Sequence, residues 1–253
     1  MSNIVKIVGA GAGDPELITV KGMNALKEAD IVIYAGSLVN PALLDYCKKD
    51  CTIYDSAGMN LDEVIEVIKA EYPKGKNIVR LHTGDPSIYG AIREQMDILD
   101  TENIEYTVIP GVSSFCAAAA ALKKEYVLPE VSQTVILTRM EGRTPVPERE
   151  DIRNLAKVNA TMIIFLSVHM IEDVVERLLA GYDKETPCAV VYKASWPEEK
   201  KVIGTLENIA EKVHAADIGR TALITVGRFL GDEYALSKLY DKGFSHGYRE
   251  AKE

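Results

Sequence analysis

Residues 81–91 read LHTGDPSIYGA, and this stretch decides the fold. An apolar run ends at His82, and a Thr-Gly-Asp-Pro turn follows. Gly84 and Gly90 bracket Asp85; a residue without a Cβ lets the backbone come within contact distance of a ligand. Pro86 has no N–H to lose at the first position of a helix, so a helix is predicted over 87–99. Residues 7–15, IVGAGAGDP, repeat the pattern near the start of the chain. Residues 109–114, IPGVSS, give a third turn between an apolar run and a helical stretch. Three such turns at successive strand ends describe the carboxyl edge of an open α/β sheet, where these sheets bind ligands.

Working outward, apolar runs alternate with amphipathic ones. Strands are predicted over 3–9, 31–35, 52–55, 77–82 and 105–109, and further helices over 20–28, 41–48 and 61–72. In the last of these, Leu61, Val64, Ile65 and Ile68 share one helical face, with Asn60 as N-cap and Glu63 three residues on, as a capping box requires. This alternation argues for a mainly parallel sheet covered by helices. A second set follows the alanine-rich SSFCAAAAAL at 113–122, with strands over 134–138, 161–166, 189–193, 201–204 and 222–226 and helices over 148–157, 170–180 and 206–215. The strands at 189–193 and 201–204 are close enough to pair as a hairpin across ASWPEEK, which makes the second half a mixed sheet. LKKEYVLPEVSQ, at 122–133, has a proline and no periodicity, and the junction is placed there. The fold class is α/β, in two α/β domains over 1–122 and 123–253.

A chain of 253 residues is ample for a real core. The net charge of −9 and the lack of a Lys/Arg stripe argue against nucleic acid as a partner. No run of about 18 apolar residues suggests a membrane span, and MSNIVKIVG enters a strand directly, with no signal peptide expected. Cys47, Cys51, Cys116 and Cys188 form no CxxC pair and complete no zinc set, so no metal is expected and free thiols of a reducing cytoplasm are.

The usual glycine-turn cofactors fail on the residues. Gly9 and Gly11 fit the first two positions of GxGxxG, but Asp14 holds the sixth; Asp30 begins the second strand, where a ribose ligand should end it. No Gly-Lys-Ser/Thr follows, which excludes a P-loop. The common methyltransferase pattern wants an acid two residues before the first glycine, and Ile7 stands there.

The turns as they stand, GAGAGDPELIT, TGDPSIYG and PGVSS, resemble those of the tetrapyrrole (uroporphyrinogen/precorrin) methylases, along nearly the whole chain. Ala12 departs from the proline usual in that family. YAGSLV, PGVSSFCAAAAAL, LPEVSQTVILTRMEGRTPVPE and VVYKASWPEE extend the resemblance toward one branch, the precorrin-4 and cobalt-precorrin-4 C11-methyltransferases. The resemblance implies two α/β domains with the cofactor cleft between them, a cytoplasmic homodimer, S-adenosylmethionine as methyl donor and an anionic tetrapyrrole as substrate. It also implies donor contacts at Thr83, Gly84, Asp85 and Ile88, at Ser113 and Ser114, and at Leu166, Tyr192, Lys193, Ala222 and Leu223.

Methyl transfer from sulfonium to carbon is an in-line displacement that needs no protein nucleophile. Alignment alone can supply roughly 7–11 kcal/mol, and no Ser-His-Asp or Cys-His set is expected; no catalytic side chain is assigned. The substrate's acetates and propionates require cations, Arg above all. His82, Arg139, Arg143 and Lys193 are the candidates, the two arginines lying in a Gly/Pro loop just past a strand. Trp196 is expected to pack in the core or hairpin, with a flat macrocycle stacking near it as the alternative. Competing readings are another methylase of this fold, such as uroporphyrinogen-III methyltransferase or diphthine synthase, and a non-catalytic nucleotide-binding regulator. EGRTPVPE and YKASWP count against the former, the broken GxGxxG against the latter.

Overall fold

The computed structural model describes residues 4–36 and 38–251. Asn3, the expected first strand residue, Ser37 of YAGSLV and the final Lys252 and Glu253 lie outside them. The chain divides into two compact units: Met1–Ala118 with Lys193–Glu199, and Ala119–Tyr192 with Lys200–Glu253. The first boundary thus falls before the expected junction at 122, and Lys193–Glu199, assigned from sequence to the second domain, groups with the first.

The first unit is an all-parallel sheet. Its strands are β1 (Val5–Gly9), β2 (Ile31–Tyr34), β3 (Thr52–Asp55), β4 (Ile78–His82) and β5 (Tyr106–Ile109), in the order β3-β2-β4-β1-β5. Helices α1 (Val20–Glu28), α2 (Leu61–Glu71) and α3 (Ile92–Thr101) follow strands within it, and α4 (Ser114–Leu122) runs across the boundary at Ala118. The inner strands are largely apolar on both faces because both are covered, Arg80 and His82 of β4 being the buried polar exceptions. Val8, Leu26, Val32, Val79 and Leu81 pack together on one side; Val5, Ile31, Ile33, Ile65, Ile68, Ile78 and Leu99 pack together on the other. The capping box on α2 is present, with Asn60 accepting from the Glu63 N–H and Glu63 accepting from the Asn60 N–H.

Two predicted helices differ. Residues 41–48 form a 3₁₀ helix, Pro41–Tyr46, started by the Asn40 side chain accepting from the Ala42 N–H. The helix predicted over 87–99 begins at Ile92, and residues 86–89 are turns. Here Asp85 accepts from the Ser87 N–H at 2.9 Å and the chain folds back on itself, so Pro86 serves the turn and not the helix.

The second unit carries β6 (Val135–Arg139), β7 (Thr161–Phe165), β8 (Pro187–Tyr192), β9 (Lys200–Thr205) and β10 (Ala222–Val226), in the order β6-β7-β10-β8-β9. Only β6 and β7 pair in parallel; β7–β10, β10–β8 and β8–β9 are antiparallel. The sheet is mixed and β8–β9 is the hairpin read from the sequence. Helices α5 (Ile152–Ala156), α6 (Ile171–Leu178) and α7 (Ile209–Ala215) bury Ile152, Val174, Leu178, Ile209 and Val213 against Met162, Ile164, Val190 and Ile224. The helix predicted over 148–157 is interrupted: Asp151, extended, ends a 3₁₀ turn at Glu148–Glu150 and caps α5.

Candidate functional site

In the first unit, register brings the three glycine turns to one edge. Gly9 of β1 is opposite His82 of β4, and Val8 is opposite Ile109 of β5. Past those ends, Gly11 and Gly84 exchange N–H···O=C bonds of 3.2 and 2.9 Å. A Cβ on Gly9 would fall 2.6 Å from the Gly111 backbone, and one on Gly111 2.2 Å from the Gly84 carbonyl oxygen. The three turns therefore pack backbone on backbone, which only glycine allows. Gly84 differs: its φ is +58°, and a Cβ there would meet nothing closer than the Ser113 Cα at 3.5 Å. A Cβ there would be in ordinary contact with the turn after β5, so what favours glycine at 84 is its left-handed φ.

Asp85 locks those two turns. One carboxylate oxygen accepts the Gly111 N–H at 2.9 Å, and the other accepts the Ser87 N–H and hydroxyl. Burial raises its pKa, but the hydrogen bonds from Ser87 and Gly111 together outweigh that and hold the carboxyl below its usual range. The Thr83 hydroxyl donates to the Leu38 carbonyl at 3.3 Å. Ser113 is buried and Ser114 opens α4. Thr83, Gly84, Asp85, Ile88, Ser113 and Ser114 thus lie in the turns after β4 and β5. Lys193 lies in the segment that joins this unit; its Nζ is 3.3 Å from Glu198 and 5.0 Å from the Trp196 ring centroid.

The opening turn is fixed from outside by residues whose contacts the sequence reading did not foresee. The Asp14 N–H donates to Ser195 Oγ at 3.0 Å, Asn40 Nδ2 donates to the Gly13 carbonyl at 2.8 Å, and the Trp196 ring lies on Gly13. Asn-Pro at 40–41 was the available signal for Asn40, since Asn before Pro starts turns.

In the second unit the expected residues line one sheet edge. Tyr192 pairs with Ala222. Leu166 follows the end of β7, and Ala222 and Leu223 open β10, which pairs antiparallel with β7. Leu166 is 59% exposed with a φ of +56°, an apolar side chain presented on strained backbone.

The two arginines prove unequal. Arg139 donates to the carbonyls of Met140, Thr144 and Pro145 at 3.1, 3.2 and 2.8 Å, so it clamps its own loop. Arg177 braces the same loop through Glu141 and Asp151, and Ser167 Oγ accepts the Met140 N–H at 2.9 Å. Arg143 stands exposed on that braced loop, with no hydrogen bond or ion pair to any described residue.

His82 departs from the expectation of a basic substrate contact. It is 4% exposed, and its pKa is pushed down to about 3, by burial first and then by the Arg80 guanidinium. It is neutral at pH 7 and cannot serve as a cation for a carboxylate. Its Nε2 is buried without a hydrogen-bond partner among the described residues.

In the first unit the glycine turns gather at one sheet end; in the second, Leu166 is exposed, whereas Ala222 and Leu223 are buried. The model of the tetrapyrrole (corrin/porphyrin) methylases matches residues 5–210. A cobalt-precorrin-4 C(11)-methyltransferase of Methanocaldococcus jannaschii is 61% identical over 249 residues, 98% of this chain and 96% of that protein. A solved cobalt precorrin-4 methyltransferase superposes with a TM-score of 0.88 at 44% identity, covering 90% of this chain and 96% of the other. A uroporphyrin-III C-methyl transferase of Thermus thermophilus, solved with S-adenyl homocysteine, gives 0.76 at 27% identity, over 90% and 94% of the two chains.

Proposed function

Since the chain belongs to the tetrapyrrole (corrin/porphyrin) methylases, we propose that it methylates C11 of cobalt-precorrin-4, or of metal-free precorrin-4, in cobalamin synthesis. It is an S-adenosylmethionine-dependent C-methyltransferase. The observation that carries the reading is the full-length likeness at 61% identity to a cobalt-precorrin-4 C(11)-methyltransferase, in a chain whose locked glycine turns suit the donor. That relative also favours the cobalt-containing substrate.

Bound S-adenosylmethionine supplies an electrophilic methyl group on a sulfonium leaving group. The chain's part is to hold and orient. Gly84 supplies the left-handed turn, and Asp85 fixes that turn through Gly111 and Ser87. Thr83, Ile88, Ser113 and Ser114 are assigned to the donor from the first unit, with Lys193 beside them in that unit's segment, and Leu166, Tyr192, Ala222 and Leu223 from the second. Arg143 is the cation assigned to a substrate carboxylate, presented by the loop that Arg139 clamps. His82, neutral and with a pKa of about 3, is too weak a base to collect a proton at neutral pH. Alignment of methyl group and ring carbon is the main rate contribution required of the protein.

The reading includes a cytoplasmic homodimer that binds no nucleic acid; the net charge of −9 supports the last point. The test is incubation with S-adenosylmethionine and, separately, cobalt-precorrin-4, precorrin-4 and uroporphyrinogen-III, with the methylated carbon located by NMR. Methylation at C11 is expected; methylation only of uroporphyrinogen-III overturns the substrate.

A further inference from the structure

Arg80 sits in the middle of β4, 8% exposed, and no carboxylate pairs with it among the described residues. Burial lowers its pKa to about 10, so it keeps its charge at neutral pH. A buried cation without an anion is a costly way to fill a core, since an apolar side chain of similar volume avoids the desolvation. Its hydrogen bonds show what it joins. Nη1 donates to the Ile33 carbonyl in β2 at 3.1 Å, and Nε donates to Gln95 Oε1 in α3 at 3.3 Å. Gln95, itself 6% exposed, donates from Nε2 to the Ala91 carbonyl at 3.0 Å. A continuous chain of polar contacts therefore runs from the sheet to the residue before α3.

Ala91 is the exit of the turn over 83–90, and that exit is strained. Tyr89 and Ala91 have φ of +56° and +48°, a region that non-glycine residues rarely adopt. Between them, Gly90 is pressed so close that a Cβ would lie 2.1 Å from the Pro86 carbonyl oxygen. The helix start has no side-chain cap from Ala91. Backbone of this kind persists only where its surroundings hold it, and the Gln95 carboxamide on the Ala91 carbonyl is such a hold.

We propose that Arg80 and Gln95 are positioning residues for methyl transfer: the buried chain from Ile33 through Arg80 and Gln95 to Ala91 holds the turn over 83–90 in the shape that receives the methyl donor. This rests on the reading that the turn binds S-adenosylmethionine. Neither residue touches the donor; both act through the turn. Arg is required because one planar guanidinium reaches two acceptors at a fixed angle, which an ammonium does not reproduce.

The test uses Gln95→Leu, Gln95→Glu and Arg80→Met in the full chain. Each is measured by calorimetric binding of S-adenosylhomocysteine, by KM for S-adenosylmethionine against kcat, and by hydrogen exchange of the amides at 84–91. Gln95→Glu separates support from positioning: it gives Arg80 an anion but cannot donate to Ala91. The expected result is about tenfold weaker binding in both Gln95 variants, the scale of one lost buried hydrogen bond, with faster exchange over 84–91. Gln95→Glu should unfold no earlier than wild type. If Arg80→Met fails to fold, the Gln95 pair decides alone. Unchanged affinity and unchanged exchange in both, beside a wild type that binds, overturns the inference. A wild type that does not bind S-adenosylhomocysteine overturns the functional reading, and the inference with it.

Discussion

His82 makes the folded chain sensitive to acid. Its pKa is about 3 in the native state and about 6.5 in an unfolded chain. Between those values the unfolded state binds a proton that the native state refuses, so stability is full above pH 6.5 and falls as pH drops through that window. By pH 5 the loss from this one group is about 2 kcal/mol. Urea unfolding of wild type and His82→Leu at pH 7.5 and pH 5 checks it; parallel losses in the two proteins refute it. The arginines separate by kinetics. Arg143→Ala should raise the tetrapyrrole KM about tenfold, as expected for a charge-assisted contact, and leave the donor KM alone. Arg139→Ala should raise the same KM and also speed proteolysis in the loop it clamps. An unchanged tetrapyrrole KM in both removes the pair from the site. The glycines, Asp85 and the loop arginines were legible because their signals are local. Arg80 was not, because whether a charge in NIVRLH is buried depends on which strands lie beside it.

At the scale of elements, the turns after β4 and β5 behave as one piece, since Asp85 bonds across them. Asp85→Ala should weaken S-adenosylhomocysteine binding about tenfold by releasing the Gly111 and Ser87 N–H groups; normal calorimetric affinity would show that the lock is dispensable. Gly111→Ala places a methyl group 2.2 Å from the Gly84 carbonyl oxygen, backbone against backbone. A loss of at least about 2 kcal/mol in unfolding free energy is expected, at the upper part of the usual overpacking range. A Tm equal to wild type would mean that the turns separate freely. Most element types followed from periodicity, with the 3₁₀ stretches at Pro41–Tyr46 and Glu148–Glu150 as exceptions, and α2 with its capping box from the Asn60 to Glu63 spacing. The start of α3 was misread because Pro86 suits a helix start and a turn equally. Asp85 and two left-handed residues decide between them, and left-handed Tyr and Ala carry no sequence mark.

For the whole molecule, the alternation of strands and helices announced a parallel first sheet and a mixed second one, and both are present. Strand order was beyond reach: β1 lies between β4 and β5 through contacts some 70 to 100 residues apart in sequence. The same holds for Lys193–Glu199, which leaves its own hairpin's unit to join the first. That excursion carries Trp196, the only tryptophan in the chain, onto Gly13 of the opening turn, with the Lys193 ammonium 5.0 Å from the ring. The sequence thus carries a single tryptophan, whose emission can be excited apart from that of the tyrosines, seated on a glycine turn and beside a charge that can perturb it. Saturating S-adenosylhomocysteine should change the intensity of that emission, and Trp196→Phe should abolish the signal while calorimetric binding persists. No change in the wild type would show that the opening turn does not feel the ligand. Where the change is seen, donor binding can be followed by stopped flow in unlabelled protein, before any tetrapyrrole is added.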